Sequence, residues 1–223
     1  MKKNFTIIAA GGLGTRLKNY KNNEYTKVLI PIGLTSMISQ QIKQLKNWGY
    51  ENIVIVTNPE YDKLIKEDVK GNFPNENIEF VIQNEQLGIA HALKQAEPVI
   101  DKGSQISFIL GDNFFGVNPF ANNKSIYSDS SAALVLKKVN NPEDFGVAVL
   151  KNRKIVDLIE KPKKFISKYA VLGFYKYEYE CFEIIDSLKR SDRGEYEITE
   201  LNKKYLNLSK VNYSIFDSWW IDA

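Results

Sequence analysis

Residues Phe5 to Ile32, FTIIAAGGLGTRLKNYKNNEYTKVLIPI, decide the fold. The stretch opens with Phe5 to Ala10, a short apolar run carrying β-branched Thr6, Ile7 and Ile8, which predicts a buried parallel strand. The run breaks into Gly11, Gly12 and Gly14, followed by Thr15 and Arg16, and Lys27 precedes a second apolar run from Val28 to Ile32. Glycines directly after a strand let the backbone approach a ligand, and their N–H groups can turn inward as an anion-binding nest. Arg16 and Lys27 add positive charge to the same loop, which suits a triphosphate better than a neutral ligand. The bland alternative is a strand-to-helix turn with solvated basic residues. Two other phosphate fingerprints fail. Counting G-x-G-x-x-G from Gly12 and Gly14 puts the third glycine at Leu17, and the next strand ends in Asn58 where an acid is wanted. No Gly-Lys-Ser/Thr closes the loop as a P-loop requires.

Outward from the loop, strands and helices alternate. Thr35-Ser36 opens a helix to about Trp48, capped by Gly49, with an apolar stripe of Met37, Ile38, Ile42 and Leu45. Strands are expected at Asn52 to Thr57, Ile78 to Ile82 and Gln105 to Leu110, with helices at Pro59 to Val69 and Gly88 to Val99. This order predicts a doubly wound, mostly parallel sheet whose ligands sit beyond the carboxyl ends of its strands. The second half reads differently. Ala132 to Val139, Phe145 to Leu150, Lys154 to Ile159 and Tyr169 to Tyr177 are strands between short polar turns. Helices return at Tyr179 to Leu188 and Glu197 to Asn207, and Val211 to Phe216 and Trp219 to Ile221 are short apolar runs. No repeat or linker divides the chain, so one domain with two lobes, 1–115 and 116–223, is expected.

With 223 residues, 43% hydrophobic and 26% charged, the composition is that of an ordinary globular α/β domain. The net charge of +3 is spread along the chain and gives no nucleic-acid footprint. The single cysteine, Cys181, excludes an internal disulfide and a zinc cluster and reads as a small core residue. No apolar run approaches the ~18 residues of a membrane span, and no signal peptide precedes the first strand. A cytoplasmic location is expected, with no nucleic-acid or membrane partner; a homo-oligomer is left open.

Further motifs follow in order. Gln83 to Leu93, QNEQLGIAHAL, leaves the third strand; an amide such as Gln83 can pair with the edge of a base, or simply be solvated. The only histidine, His91, reads as a packed or partly exposed helix residue, since no Ser or Cys partner suggests a triad. LGDNFFG puts Asp112 just past an apolar strand, where a carboxylate is expensive to bury unless it is paired or binds a cation. DFGVAV carries Gly146, LIEKP carries Glu160 and Lys161, YAVLGFYKY carries Val171, and RGEYEIT spans Arg193 to Thr199.

AAGGLGTRL after a strand, then K-x-L-x-P-I and these motifs in this order, resembles the sugar-1-phosphate nucleotidyltransferases, the family that includes glucose-1-phosphate thymidylyltransferase. The resemblance runs from Phe5 to Asp222. It implies an α/β fold with a Rossmann-like, doubly wound mixed sheet of the nucleotide-diphospho-sugar transferase type. The first lobe would bind the nucleoside triphosphate through Ala10, Gly11, Gly12, Gly14, Thr15, Arg16, Lys27, Gln83, Gly88, Gly111 and Asp112. Gln83 and Gly88 would read a uracil or thymine ring. Gly146, Glu160, Lys161 and Val171 would bind the small phosphorylated acceptor. Asp112 and Asp222 would hold Mg²⁺, with Arg16, Lys27, Asp112 and Lys161 catalytic; Arg193 to Thr199 is given a structural role.

Two features depart from the family pattern. No Pro-x-Thr lies between Lys18 and Thr26, and the chain stops at Ala223 where a Gly-Thr and a further helix are expected. A residue placed like Asp222 is prone to fray. A cytidylyltransferase acting on a sugar or non-sugar phosphate, and a non-catalytic nucleotide-sensing subunit, are the alternative readings.

Overall fold

Ile7 and Ile8 are adjacent and both fully buried, yet they belong to two separate apolar clusters. Only a strand covered on both faces allows this, because successive side chains point to opposite sides. That strand is β1 (Asn4–Ala9). The computed structural model describes residues 2–12, 26–121 and 132–223. Gly14, Thr15 and Arg16 lie outside these described residues.

After a 3-10 turn at Lys27–Leu29 come the two-residue strands β2 (Pro31–Ile32) and β3 (Thr35–Ser36), then α1 (Met37–Asn47), β4 (Ile53–Thr57), α2 (Asp62–Asn72) and β5 (Glu79–Ile82). α3 (Ile89–Gln95), β6 (Gln105–Leu110) and β7 (Asn113–Phe115) complete the first half. The second half holds β8 (Ala132–Lys138), β9 (Gly146–Lys151), β10 (Lys154–Glu160) and β11 (Tyr169–Glu178), then α4 (Cys181–Asp186), α5 (Ile198–Asn207), β12 (Val211–Ile215) and β13 (Trp220–Asp222).

One nine-stranded sheet runs β10-β9-β11-β6-β1-β4-β5, with β8 beside β11 and β12 beside β8. The β6-β1-β4-β5 portion is parallel. β11 is antiparallel to β6, β8 and β9, so the sheet is mixed and strands from both halves of the chain share it. One face is closed by α1 and α2 through Ile38, Ile42, Leu45, Ile65 and Val69. The other is closed by α3, α4 and α5 through Leu93, Phe182 and Leu201, with Cys181 packed among them. Each such buried side chain contributes roughly 1.5–3 kcal/mol.

The predicted elements are present, with shifted ends. The helix expected over 88–99 stops at Gln95 and continues as a 3-10 turn, Glu97–Val99, because Pro98 has no N–H and crowds the preceding turn. Ser36 caps α1, its Oγ accepting from the Ser39 N–H at 3.2 Å, so the helix proper begins at Met37, within the expected opening. The sequence pattern gives no strand at Asn113–Phe115; pairing with the last residues of the chain makes one.

Candidate active site

Loops at the carboxyl ends of the parallel strands are held mainly by their carbonyls. The Gly11 carbonyl accepts from Asn58 Nδ2 at 2.9 Å, and the Gly12 carbonyl from Thr26 Oγ1 at 3.3 Å. Asn58 and Thr26 are both buried. Asn58 also accepts the Tyr61 N–H at 2.9 Å, turning the chain toward α2. In the sequence this residue only disqualifies a dinucleotide fingerprint; in the fold it fixes the glycine loop.

The turn between β6 and β7 is clamped in the same way. α1 sends Gln41 Nε2 to the carbonyls of Leu110 (2.7 Å) and Asn113 (2.9 Å), and Gln44 Nε2 to that of Phe115 (2.9 Å). The Gly111 N–H donates to the Ala9 carbonyl at 2.9 Å, which sets Asp112 beside the end of β1. Lys27 Nζ meets Asp112 Oδ2 at 2.6 Å, a charge-assisted hydrogen bond between half-buried groups.

Asn113, 2% exposed, is the hub of the site. Its Nδ2 donates to Asp112 Oδ1 at 2.9 Å and to Asp222 Oδ1 at 3.4 Å. Its Oδ1 accepts from Trp220 Nε1 at 2.8 Å and from the Gly173 N–H at 3.3 Å. Asp222 lies opposite Asn113 in the β7–β13 ladder, and the Ala223 N–H donates to the Asp112 carbonyl at 3.0 Å. These bonds tie the tail to the site. Two carboxylates flanking one amide are hard oxygen donors in the number that magnesium takes from protein, with phosphate oxygens and water completing its shell. Among the described residues no group of three or more His, Cys, Asp or Glu gathers to hold a metal. The residues present fit an ion that depends on its ligand's oxygens.

Gln83 follows β5 and is 3% exposed, so it is not a solvated loop residue. Its Nε2 reaches the Gly88 carbonyl at 3.2 Å and His91 Nδ1 at 3.0 Å. Gly88 begins α3 at φ 98°, a region L-residues rarely adopt, and a Cβ there would stand 2.8 Å from the Tyr196 carbonyl. That carbonyl accepts from the Ala90 N–H at 3.1 Å, while the Tyr196 N–H donates to Leu87 at 2.7 Å. This zips the loop to the segment that enters α5.

The second cluster is built from side chains. β9 and β10 pair Gly146 with Glu160. A Cβ on Gly146 would meet Thr199 Oγ1 at 2.8 Å and Glu160 Oε2 at 3.2 Å, so glycine alone leaves room there. Thr199 Oγ1 donates to Glu160 Oε2 at 2.5 Å, and Arg193 Nη2 lies 3.4 Å from Glu160 Oε1. Arg193 also reaches Glu197 through Nη2 at 2.8 Å and Nε at 3.1 Å. Lys161 sits at φ 39°, a costly conformation, and its N–H donates to the Phe145 carbonyl at 3.1 Å. Val171, at 9% exposure, is the last residue before the β11–β8 pairing shifts register. The two clusters meet through the Phe145 and Trp220 rings, 5.5 Å apart. Burial pushes the Tyr175 hydroxyl upward, and the carboxylates of Glu160 and Asp222 add to the shift, so both clusters act on one buried phenol.

Of the residues singled out in the sequence, the structure thus joins Ala10, Gly11, Gly12, Lys27, Gln83, Gly88, Gly111, Asp112 and Asp222 along one end of the sheet. Gly146, Glu160 and Lys161 are reached through Phe145 and Trp220. Asn58, Asn113, Arg193 and Thr199 were missed as site residues, although RGEYEIT flagged the last two.

The family model for nucleotidyl transferase matches residues 5–223. The chain is 35% identical over 225 residues to the bifunctional protein GlmU of Methanococcus vannielii, covering 97% of this chain and 51% of that protein. It is 33% identical over 225 residues to the glucose-1-phosphate thymidylyltransferase of Mycolicibacterium smegmatis, covering 97% and 76%. The chain therefore spans about half the length of the GlmU relatives it matches. Among solved structures, a Bacillus anthracis protein provisionally described as a glucose-1-phosphate thymidylyltransferase, in complex with a sucrose, superposes with a TM-score of 0.88. The two are 35% identical, over 99% of this chain and 89% of that one. With the family model running from the first strand to the last residue, and relatives of this identity over nearly the whole chain, the protein belongs to the nucleotidyl transferase family of enzymes.

Proposed function

We propose that the chain transfers a nucleotidyl group from a pyrimidine nucleoside triphosphate, dTTP or UTP, to a sugar 1-phosphate, giving a nucleotide sugar and pyrophosphate. The observation that carries this reading is the run of contacts Lys27–Asp112–Asn113–Asp222. It is joined to the glycine loop through Gly111, and to the Gly146–Glu160 wall through Trp220 and Phe145. A polyphosphate and a hydroxyl-rich acceptor would each find matching chemistry there, side by side.

In this reading an oxygen of the sugar phosphate attacks the α-phosphorus. The new P–O bond forms as the bond from the α-phosphorus to the bridging oxygen breaks, and pyrophosphate leaves with the electron pair. The attacking phosphate is already ionised at neutral pH, so no general base is needed. The protein's task is alignment and charge neutralisation. Lys27 takes the triphosphate, Lys161 aligns the attacking phosphate, and Arg16 meets the leaving pyrophosphate. Glu160 accepts from sugar hydroxyls, Gly146 leaves space for the ring, and the Val171 main chain contacts it. Magnesium, when bound by Asp112 and Asp222, supplies neutralisation of phosphate oxygens. Among the described residues no helix is long and apolar enough to cross a membrane, and the reading places the enzyme in the cytoplasm.

The test is pyrophosphate release from dTTP, UTP, CTP, GTP and ATP, each with several sugar 1-phosphates and non-sugar phosphates. Release is expected only with a sugar 1-phosphate present and is expected to be fastest with dTTP or UTP. Turnover confined to CTP with a phosphorylated amino alcohol would replace this reading with the cytidylyltransferase one. Asp112→Ala and Lys161→Ala are each expected to abolish turnover with the circular dichroism spectrum unchanged. Wild-type rates in both would refute the site.

A further inference from the structure

An amide side chain has two N–H donors and one carbonyl, and the end it offers a ligand is decided by what occupies the other end. In Gln83 the nitrogen faces the Gly88 carbonyl at 3.2 Å and His91 Nδ1 at 3.0 Å. A carbonyl can only accept, so the nitrogen must lie on this side. The oxygen is then turned to the glycine loop, where a Cβ on Gly11 would come within 3.2 Å of Gln83 Oε1.

The histidine adds a constraint. Gln95 Nε2 stands 3.1 Å from His91 Nε2 and 3.3 Å from the His91 carbonyl, so an amide nitrogen faces each ring nitrogen. A neutral ring carries one proton, and one of the two amides must yield to it. Gln95 is half-buried, whereas Gln83 is enclosed, so Gln95 can turn toward solvent and Gln83 cannot. With the proton on Nε2, Nδ1 accepts from Gln83. Burial favours the neutral ring, lowering its pKa from the ordinary 6.5; the Glu85 backbone, which also hydrogen-bonds the ring, favours a ring proton and opposes that shift.

We infer that His91 is a positioning residue that locks the Gln83 amide with its oxygen toward the glycine loop, so that the site selects uracil or thymine over cytosine. Uracil and thymine carry an N–H at ring position 3, which the oxygen accepts. Cytosine has a lone pair there, which the oxygen repels. Without Nδ1 only the Gly88 carbonyl, at 3.2 Å, holds the nitrogen, and the turned-over amide that suits cytosine becomes more accessible. This rests on the proposed pyrimidine preference and on Gln83 reading the base, as the family resemblance implies, but not on the identity of the acceptor.

Binding of UTP and CTP, measured by calorimetry with magnesium and no acceptor, tests the lock. The wild type is expected to prefer UTP by about tenfold or more, the size of one well-placed hydrogen bond gained against one lone-pair clash. His91→Leu removes one of the two acceptors and leaves the Gly88 carbonyl, so the preference is expected to fall severalfold, from about tenfold to about threefold, whereas a merely structural loss would weaken both nucleotides equally. His91→Asn sets an amide oxygen in the place of Nδ1 and is expected to restore the preference. Because His91 is the only histidine, ¹⁵N-histidine labelling also reads the tautomer in the unmutated chain. Nδ1 unprotonated and Nε2 protonated at about pH 7.5 is expected. The opposite tautomer, or an unchanged ratio in a folded His91→Leu variant, overturns the lock alone. Failure of the wild type to bind any nucleotide overturns the lock together with the function it refines.

Discussion

The two halves of the candidate site are fastened by different means. Around the glycine loop and the β6–β7 turn, side chains hold backbone: Asn58 on Gly11, Thr26 on Gly12, Gln41 on Leu110 and Asn113, Gln44 on Phe115, Gln83 on Gly88. The Asp112 carboxylate that this turn carries is then met by Lys27 and Asn113. Around Glu160, side chains hold side chains: Thr199 and Arg193 on Glu160, Arg193 and Ser191 on Glu197. A backbone clamp fixes a whole loop at once, so its loss is felt by every group the loop carries. A side-chain network loses one bond at a time. The first arrangement suits a donor whose phosphates must be gripped in one geometry. The second lets acceptor recognition be adjusted without disturbing the nucleotide.

The largest test of this contrast falls on Asn113's two carboxylates. Asp112→Asn and Asp222→Asn are each expected to lower kcat by about 10²–10³, measured as pyrophosphate release. The double variant is expected to fall no further than the worse single one, because the two carboxylates would serve one bound ion. Independent, multiplying losses would mean that Asn113 does not unite them.

Glycine substitutions separate backbone need from open space. Gly88→Ala meets both a left-handed φ and the Tyr196 carbonyl, and a destabilisation of about 1–3 kcal/mol is expected, seen as a drop of several degrees in Tm. Gly12→Ala has nothing within 4 Å of its new methyl among the described residues, and its Tm is expected to match the wild type. Equal Tm losses in the two would remove the distinction.

On the acceptor side the expected effect is smaller and selective. Thr199→Val deletes one bond to Glu160 and leaves Arg193 in place. The KM for the sugar phosphate is expected to rise about tenfold, with the KM for the nucleotide unchanged, and Thr199→Ser is expected to restore it. A rise in both constants would show that the clusters are not separately fastened.

How much of this was legible in the sequence follows the same divide. Glycines after a strand and an aspartate past an apolar run declare themselves locally, because both are out of character at the end of a buried strand. The alternation of strand and helix through Leu110 likewise predicted the parallel part of the sheet. Asn113 gave no such sign. Its role exists only once β13 returns to pair with β7, bringing Asp222 opposite it across 109 residues of chain. Thr199 and Arg193 depend similarly on α5 and its entry loop reaching β10, a register that no local pattern encodes. Adjacent in sequence, Glu160 and Lys161 read on their own as a strand-end charge pair, but in the fold Glu160 accepts from Thr199 and pairs with Arg193. The roles expected of Gly14, Thr15 and Arg16 fall outside the described residues.

The smallest expected effect is a pH dependence confined to one side. The chain's only histidine, His91, packs on the nucleotide side, stacked against Tyr196. Burial lowers its pKa from 6.5; Glu85 opposes that shift through its backbone and its charge, and Arg190, seated over the Tyr196 ring, adds to it. A lowered histidine pKa means that the fold prefers the neutral ring. Its stabilising contribution is therefore complete above 6.5 and is lost as pH falls below 6.5 through the lower folded value. Between about pH 7.5 and pH 5.5 the wild-type Tm is thus expected to fall further than that of His91→Asn, which has no ring to protonate. Over the same range a protonated Nδ1 can no longer accept from Gln83, so nucleotide affinity should weaken before acceptor affinity does. Parallel pH curves for the two ligands would show that His91 has no bearing on the nucleotide side.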